Sequence, residues 1–304
     1  MIDITYPQEL KENTNLLNGH FPLNIFRNQV SAGSLNRCIL GLHWHEHFEI
    51  IYMMTGSAIF HIDSQPYEVS PHDILIVPAG GLHVGYSLTE ERVEYLAIVF
   101  NATLLNAQFP NPVHNQFIAP ILDGQVSFPI KHEGNEPGIE PLRQVILRAI
   151  DEFERKELAY EIAVQSQLYY FFTLLSRKYL PDRRLKKTSA AYSHNIARFK
   201  KLILHVENHY ASKITIDEAA QIVCMNAYHF CKTFKKMTGR TFIEFVNLHR
   251  MDEAQRLLEE TDLTVTEISE ILGCGNPNYF TKLFKKYKGI APSHIRKVLG
   301  KSDS

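Results

Sequence analysis

Two stretches near the end of the chain, FCKTFKKMTG (Phe230 to Gly239) and FTKLFKKYKG (Phe280 to Gly289), agree at six positions at a constant offset of 50 residues. The matched pairs are Phe230/Phe280, Lys232/Lys282, Phe234/Phe284, Lys235/Lys285, Lys236/Lys286 and Gly239/Gly289. The likeness extends upstream. Thr215 to Glu218 and Thr264 to Glu267 each read as a capping box, a threonine N-cap with glutamate three residues on, at an offset of 49. Each box opens a short helix, followed by a turn (CMN; GCGN) and an asparagine placed to cap the next helix, Asn226 or Asn276. Pro277 then stands where proline is favoured, at the first helical position. Helix, tight turn, basic helix is the helix-turn-helix pattern. Here it is written twice, joined by an amphipathic helix from about Phe242 to Glu259.

Helical spacing sorts the residues of each basic helix into two faces. Phe230, Thr233, Phe234 and Met237, and in the second copy Phe280, Leu283, Phe284 and Tyr287, form the core stripe. The opposite stripe carries Tyr228, Cys231, Lys232 and Lys235 in the first copy and Asn278, Thr281, Lys282 and Lys285 in the second. Such a face suits a major groove: lysine donates to guanine, asparagine pairs with adenine, and a threonine methyl meets thymine. Lys236 and Lys286, nearer the helix ends, suit phosphates.

The overall net charge of −1 hides an asymmetry. Residues 1–181 carry 11 basic against 20 acidic side chains, and residues 182–304 carry 21 against 13, so the halves stand at −9 and +8. A basic C-terminal half points to a polyanionic partner, here double-stranded DNA. At 304 residues the chain is long enough for two cores. MIDITYPQEL lacks the features of a signal peptide, no apolar run reaches the roughly 18 residues of a membrane helix, and four cysteines form no CxxC pair. A cytoplasmic location is expected.

The run GCGNPNYFTKLFKKYKGIAPSHIR (Gly273 to Arg296) resembles the C-terminal signature of the AraC/XylS family of bacterial transcription regulators, approximately GF-x-(D/N)-x-(S/N)-YF-x-(R/K)-x-FKK-x-x-G-x-(S/T)P-x-x-(Y/F)R. The first copy and the connecting helix, with Ala254, Leu257 and Leu258, match as well, so the resemblance covers about 100 residues. It departs at Cys274, where the family has an aromatic residue, and at Ala291 before Pro292. The resemblance implies a seven-helix domain that sets two recognition helices in successive major grooves, about 34 Å apart on one face of the duplex.

From Ile39 to Phe100 short runs rich in Ile, Val, Tyr and Phe (FEIIYMMTGSAIFHID, QPYEV, HDILIVPAGG, VEYLAIVF) alternate with turn residues, which predicts a β-barrel or sandwich. A loop-rich passage with six prolines runs from Pro110 to Pro141. Residues 140–180 read as one or two amphipathic helices, and 181–195 (PDRRLKKTSAAYSHN) as a polar linker. Within the strands, His43, His45 and Glu49 with Gly56, then Pro78, Gly80 and His83, resemble the two motifs of the cupin superfamily. His43 and His45 project to one face of a strand, and His47 shares it unless a bulge intervenes.

Three readings of this half stand side by side. By the family resemblance, His43, Trp44, His45, Glu49, Tyr52, His61 and His83 line an effector pocket for a sugar or related metabolite; or, as the cupin resemblance implies, His43, His45, Glu49 and His83 hold a divalent metal; or the histidines only brace turns. The expected architecture is multidomain: a cupin-like all-β barrel (1–139), a helical segment (140–180) that the family resemblance implies is for dimerisation, the linker (181–195), and an all-α tandem helix-turn-helix domain (196–298). The expected function is an effector-responsive, sequence-specific transcription regulator that is no enzyme, acts as a homodimer, and has RNA polymerase as a further partner. The alternative is a metal-binding cupin, as metal sensor or as an oxygenase or isomerase.

Overall fold

A computed structural model of the chain describes residues 16, 21–33, 35–105, 112–122, 128–179 and 190–298. It divides into two compact units between Ser193 and His194. The first is built on strands β1 (Leu23–Val30), β2 (Cys38–His43), β3 (Phe48–Thr55), β4 (Ala58–Ile62), β5 (Gln65–Val69), β6 (Ile74–Val77), β7 (His83–Ser87), β8 (Val93–Phe100) and β9 (Lys131–His132). All pairings are antiparallel. One sheet has the order β1-β8-β3-β6-β9 and the other β2-β7-β4-β5.

The near-continuous apolar run of β3 follows from burial on both faces. Its odd positions, Ile51 and Met53, pack with Leu75, Val77 and Tyr95 against Ile39, Phe60 and Ile62 of the other sheet, filling the barrel. Tyr95 ties the sheets together by donating to the Ile39 carbonyl at 3.0 Å. The even positions, Ile50 and Tyr52, face helices α3 (Glu140–Arg155) and α4 (Tyr160–Tyr179). Phe172 of α4 meets Phe48 and Phe100 edge-on at 5.5 and 6.2 Å. The turn from β3 to β4 needs Gly56: its φ is +76°, and a Cβ there would stand 2.5 Å from the Arg92 carbonyl oxygen.

Several elements differ from the sequence reading. β1 precedes the expected strand region, because LNIFRNQV mixes Asn, Arg and Gln into its alternation. The proline-rich passage contains two short helices, α1 (Pro112–Phe117) and α2 (Ala119–Leu122), as well as β9. Of the expected linker, 181–189 lie outside the described residues, and 190–195 already belong to helix α5 (Ala190–His209).

The second unit is helical, with α5 followed by α6 (Ile216–Ile222), α7 (Ala227–Thr238), α8 (Phe242–Glu260), α9 (Val265–Ile271), α10 (Pro277–Lys288) and α11 (Pro292–Val298). Its first half closes around Phe199, Phe230, Phe234, Phe242 and Phe245, with ring centroids 5.3 to 6.4 Å apart. The second half closes around Met251, Leu258, Ile268, Phe280 and Phe284. Thr264 and Glu267 form a full capping box. The first box is only half made: Thr215 accepts from the Glu218 N–H, but the Glu218 carboxylate turns to His205 Nε2 at 3.4 Å. A full box not read from the sequence, Thr241 with Glu244, opens α8.

Candidate functional site

Four of the singled-out barrel residues converge. Ligand atoms of His43, His45, Glu49 and His83 all lie within 4.8 Å of one another, and all four side chains are buried. They come from both sheets. His43 and His83 are directly opposite on β2 and β7, Glu49 enters from β3 opposite Val77 and Val99, and His45 stands in the bend between β2 and β3. The bend is held by the second cupin-like motif, whose Gly80 N–H donates to the His45 carbonyl at 2.8 Å.

The hydrogen bonds orient each imidazole. Nδ1 of His43 reaches the Gly41 carbonyl at 2.8 Å, Nδ1 of His45 the His47 carbonyl at 3.1 Å, and Nδ1 of His83 the Gly81 carbonyl at 2.9 Å. A carbonyl only accepts, so in all three rings Nδ1 carries the proton. Nε2 of His45 and Nε2 of His83 then stand 3.0 and 2.9 Å from the same Glu49 oxygen, Oε2. His83 Nε2 is buried and makes no hydrogen bond there. Burial raises the Glu49 carboxyl, but His83 and His45 outweigh it and hold the group well below the usual carboxylate range. Burial, with His43 beside it, lowers the His83 pKa against the upward pull of Glu49. An ionised carboxylate against two imidazole nitrogens calls for positive charge at that point, either a second ring proton or a cation among the donors.

A first-row divalent ion binds such atoms at about 2.0–2.2 Å, which requires donors within roughly 4.4 Å of one another. This set, three imidazoles and a carboxylate with each ring steered by a carbonyl behind it, fits that demand after a small contraction. His47 is no fifth ligand. Its Nδ1 lies 3.2 Å from the amide nitrogen of Asn101 and therefore accepts, the opposite arrangement to its three neighbours.

The other pocket candidates are elsewhere. Tyr52 points to the helix-covered face of its sheet, where its hydroxyl bonds His72 Nδ1 at 2.9 Å. His61 alternates with the inward Phe60 and Ile62, so it faces away from the interior, edge-on to Tyr86. Trp44 is buried between the two histidines in the chain.

On the helical unit, α7 exposes Tyr228, Cys231, Lys232, Lys235 and Lys236, and α10 exposes Asn278, Lys282, Lys285 and Lys286. Thr281 is half-buried and its hydroxyl donates to the Pro277 carbonyl at 2.9 Å, which leaves the methyl for contact. Asn226 and Asn276 cap the two helices through their side-chain oxygens. Two exposed residues at the third helical position, His229 and Tyr279, extend these faces. The offset of 50 and the helical period would have found both. Lys288, by contrast, is held by Asp252 at 2.6 Å.

Comparison with known proteins agrees with both halves. Residues 39–172 match the AraC-like ligand binding domain, and residues 219–298 match a helix-turn-helix domain. An uncharacterized HTH-type transcriptional regulator, YdeC of Bacillus subtilis (strain 168), is 22% identical over 298 residues, covering 98% of this chain and 99% of that one. The HTH-type transcriptional activator RhaS of Klebsiella pneumoniae (strain 342) is 26% identical over 261 residues, covering 84% and 86%. Among solved structures, ToxT from Vibrio cholerae aligns over 90% of this chain and 97% of its own with 13% identity and a TM-score of 0.40. Among the described residues no helix is long and apolar enough to cross a membrane. These domains are those of a regulator and not of an enzyme, and the chain belongs to the AraC family of DNA-binding transcription regulators, with an N-terminal ligand-binding domain.

Proposed function

We propose that the ligand-binding domain receives its signal through a divalent metal held by His43, His45, Glu49 and His83. The observation that supports this reading is convergence: three rings oriented by carbonyls at Nδ1 bring their ligand atoms and the Glu49 carboxylate within 4.8 Å of one another. A bound ion would supply Lewis acidity and open positions for ligand oxygens. The effector that suits such a site is a sugar or related metabolite, bearing hydroxyls or a carboxylate. Glu49 and the three histidines join the two sheets, so occupancy bears on barrel geometry and stability together. A ligand regulates only as far as it binds one conformation better than the other.

The output is read through α7 and α10 in successive major grooves. Tyr228, Cys231, Lys232, Lys235, Asn278, Thr281, Lys282 and Lys285 face bases, and Lys236 and Lys286 face phosphates. α3 and α4 form the dimer contact, supported by the exposed Ile162 and Tyr170 on α4. The regulator works in the cytoplasm and touches RNA polymerase at its promoters. The test is elemental analysis of purified protein, followed by a thermal-shift panel of sugars and hydroxy acids with and without chelator. Stoichiometric metal, and an effector shift that chelator removes, are the expected results. Metal-free protein whose effector response ignores chelator would overturn the metal reading.

A further inference from the structure

The two helix-turn-helix motifs enter their turns along the same backbone path with a different residue at the left-handed position, although the second turn is one residue longer. In the first turn Cys224 has φ +56° and its N–H donates to the Gln221 carbonyl. Forty-nine positions later Gly273 has φ +65° and its N–H donates to the Glu270 carbonyl. The next residues match as well: Met225 N–H bonds Ala220, and Cys274 N–H bonds Ser269. The backbone demand is therefore the same, and a left-handed cysteine satisfies it in the first copy. The second copy has an additional demand. A Cβ on Gly273 would lie 1.8 Å from the carbonyl oxygen of Ala211. No side chain fits there.

Ala211 belongs to the turn that ends α5, the helix whose Phe199 stacks on Phe230 of the first motif. That turn is gripped from the second half of the domain. Arg250 of α8 donates through Nε to the Tyr210 carbonyl at 2.7 Å and through Nη2 to the Ser212 carbonyl at 2.8 Å. Tyr210 itself packs against the second core, edge-on to His249 at 5.0 Å. A guanidinium offers two donors in a rigid fork, so the grip restrains both rotation and translation.

We infer that the Tyr210–Ser212 turn, clasped by Arg250 and seated against Gly273, is the spacer that fixes how far apart the two recognition helices stand on DNA. Arg250 and Gly273 are positioning residues for operator spacing. Neither lies on the groove-facing stripes. The inference rests on both motifs reading DNA, and its consequence is specific. Moving one half-site by one base pair shifts it by about 3.4 Å along the duplex and roughly 35° around it. A clasped domain rejects that displacement, whereas a loosened one follows it.

The experiment uses full-length protein and a library of randomised duplex DNA. Sites selected by the wild type give the preferred spacing, and affinities are then measured for that site and for versions with one base pair inserted or removed between half-sites. Wild type should lose about tenfold or more per altered spacing, the scale of one good base contact. Arg250→Gln should lose most of that discrimination while keeping its preference within each half-site. Arg250→Lys, which reaches one carbonyl at most, should fall between and decides the matter if the glutamine variant does not fold. Gly273→Ala, which displaces the turn while leaving Arg250 in place, should shift the preferred spacing. Variants that melt earlier yet keep wild-type spacing discrimination would overturn the inference, because that is the signature of a merely structural role. Wild-type protein that selects a single half-site would overturn the two-motif reading, and the inference with it.

Discussion

Glu49→Gln separates two accounts of the buried cluster that otherwise share every distance. In one, a cation lies among the donors. In the other, His45 is an imidazolium, with protons on both ring nitrogens, paired to Glu49 at 3.0 Å. Under the metal account, glutamine removes the anionic ligand and metal binding with it. Metal at a hundred times its dissociation constant stabilises by about 2.7 kcal/mol. At roughly 2–4 °C per kcal/mol for a domain of this size, chelator should lower the wild-type transition by about 5–10 °C and leave the variant unmoved.

The decisive comparison is between the two stripped proteins. In metal-free wild type, two imidazole nitrogens face one carboxylate oxygen at 2.9 and 3.0 Å. A glutamine amide places an N–H donor where that oxygen stood and removes a buried charge. One new hydrogen bond is worth about 0.5–1.5 kcal/mol. Stripped Glu49→Gln should therefore melt at or above stripped wild type. The ion-pair account has the opposite sign, since removing one partner of a buried pair costs about 3–5 kcal/mol. Differential scanning calorimetry with elemental analysis reads both quantities. A stripped variant that melts about ten degrees below stripped wild type, with no metal in either protein, would refute the reasoning.

Other consequences are checked more simply. Burial holds His132 down at about 4, so it stays neutral in the fold while the unfolded chain protonates near 6.5. Its contribution is present above pH 6.5 and fades as pH falls toward 4, by on the order of 3 kcal/mol, and His132→Gln should flatten the melting curve's pH dependence in that window. Lys232→Ala and Lys282→Ala should each cost about 1–3 kcal/mol on a specific site, whereas Lys236→Ala should weaken all sequences alike and reduce the salt slope. Gel-shift titrations across salt distinguish these, and full affinity in the folded Lys232 and Lys282 variants would reassign the groove face. Thr264→Ala should cost about 1 kcal/mol in denaturant melts through its lost cap, and more than Thr215→Ala, whose box is half made.

What could be read from the sequence was whatever is local and periodic. The threonine and asparagine caps, the phenylalanine stripe of α7 and the matching stripe of α10 depend on residues within a few positions of one another, and the helical period exposes them. The set His43, His45, Glu49 and His83 was legible only through the resemblance of its two separate stretches to the cupin motifs, since His83 lies 34 residues beyond Glu49. Tyr52 and His61 were not separable from it, because which face of a strand points inward depends on the partner sheet. Both faces of β3 are buried, one by the barrel and one by α3 and α4, so burial alone gave no sign. The strand Leu23–Val30 was hidden by its polar alternation, and it exists through pairing with β8, nearly 70 residues later.

The hardest distinction was between His45 and His47. The two share a spacing parity and a local composition, and their rings lie 5.8 Å apart. What separates them is a proton. A backbone carbonyl behind His45 forces Nδ1–H and leaves Nε2 for the cluster, while the Asn101 amide behind His47 forces the reverse. Asn101 follows β8 directly, far from either histidine in the chain. Only the closed barrel brings it there. The same logic runs through Gly273: its need for glycine is set by Ala211, not by its own turn, since Cys224 manages an equal turn without one. In both places the determining atom is a main-chain or amide group supplied by another element. A residue's chemistry in this regulator is therefore decided by the partner that stands behind it, and swapping that partner is the direct way to change it. Asn101→Asp, which gives His47 Nδ1 an acceptor, should turn its Nε2 into a lone pair, and NMR of the imidazole nitrogens would show the tautomer exchange; an unchanged His47 would mean that the Asn101 contact does not set its proton.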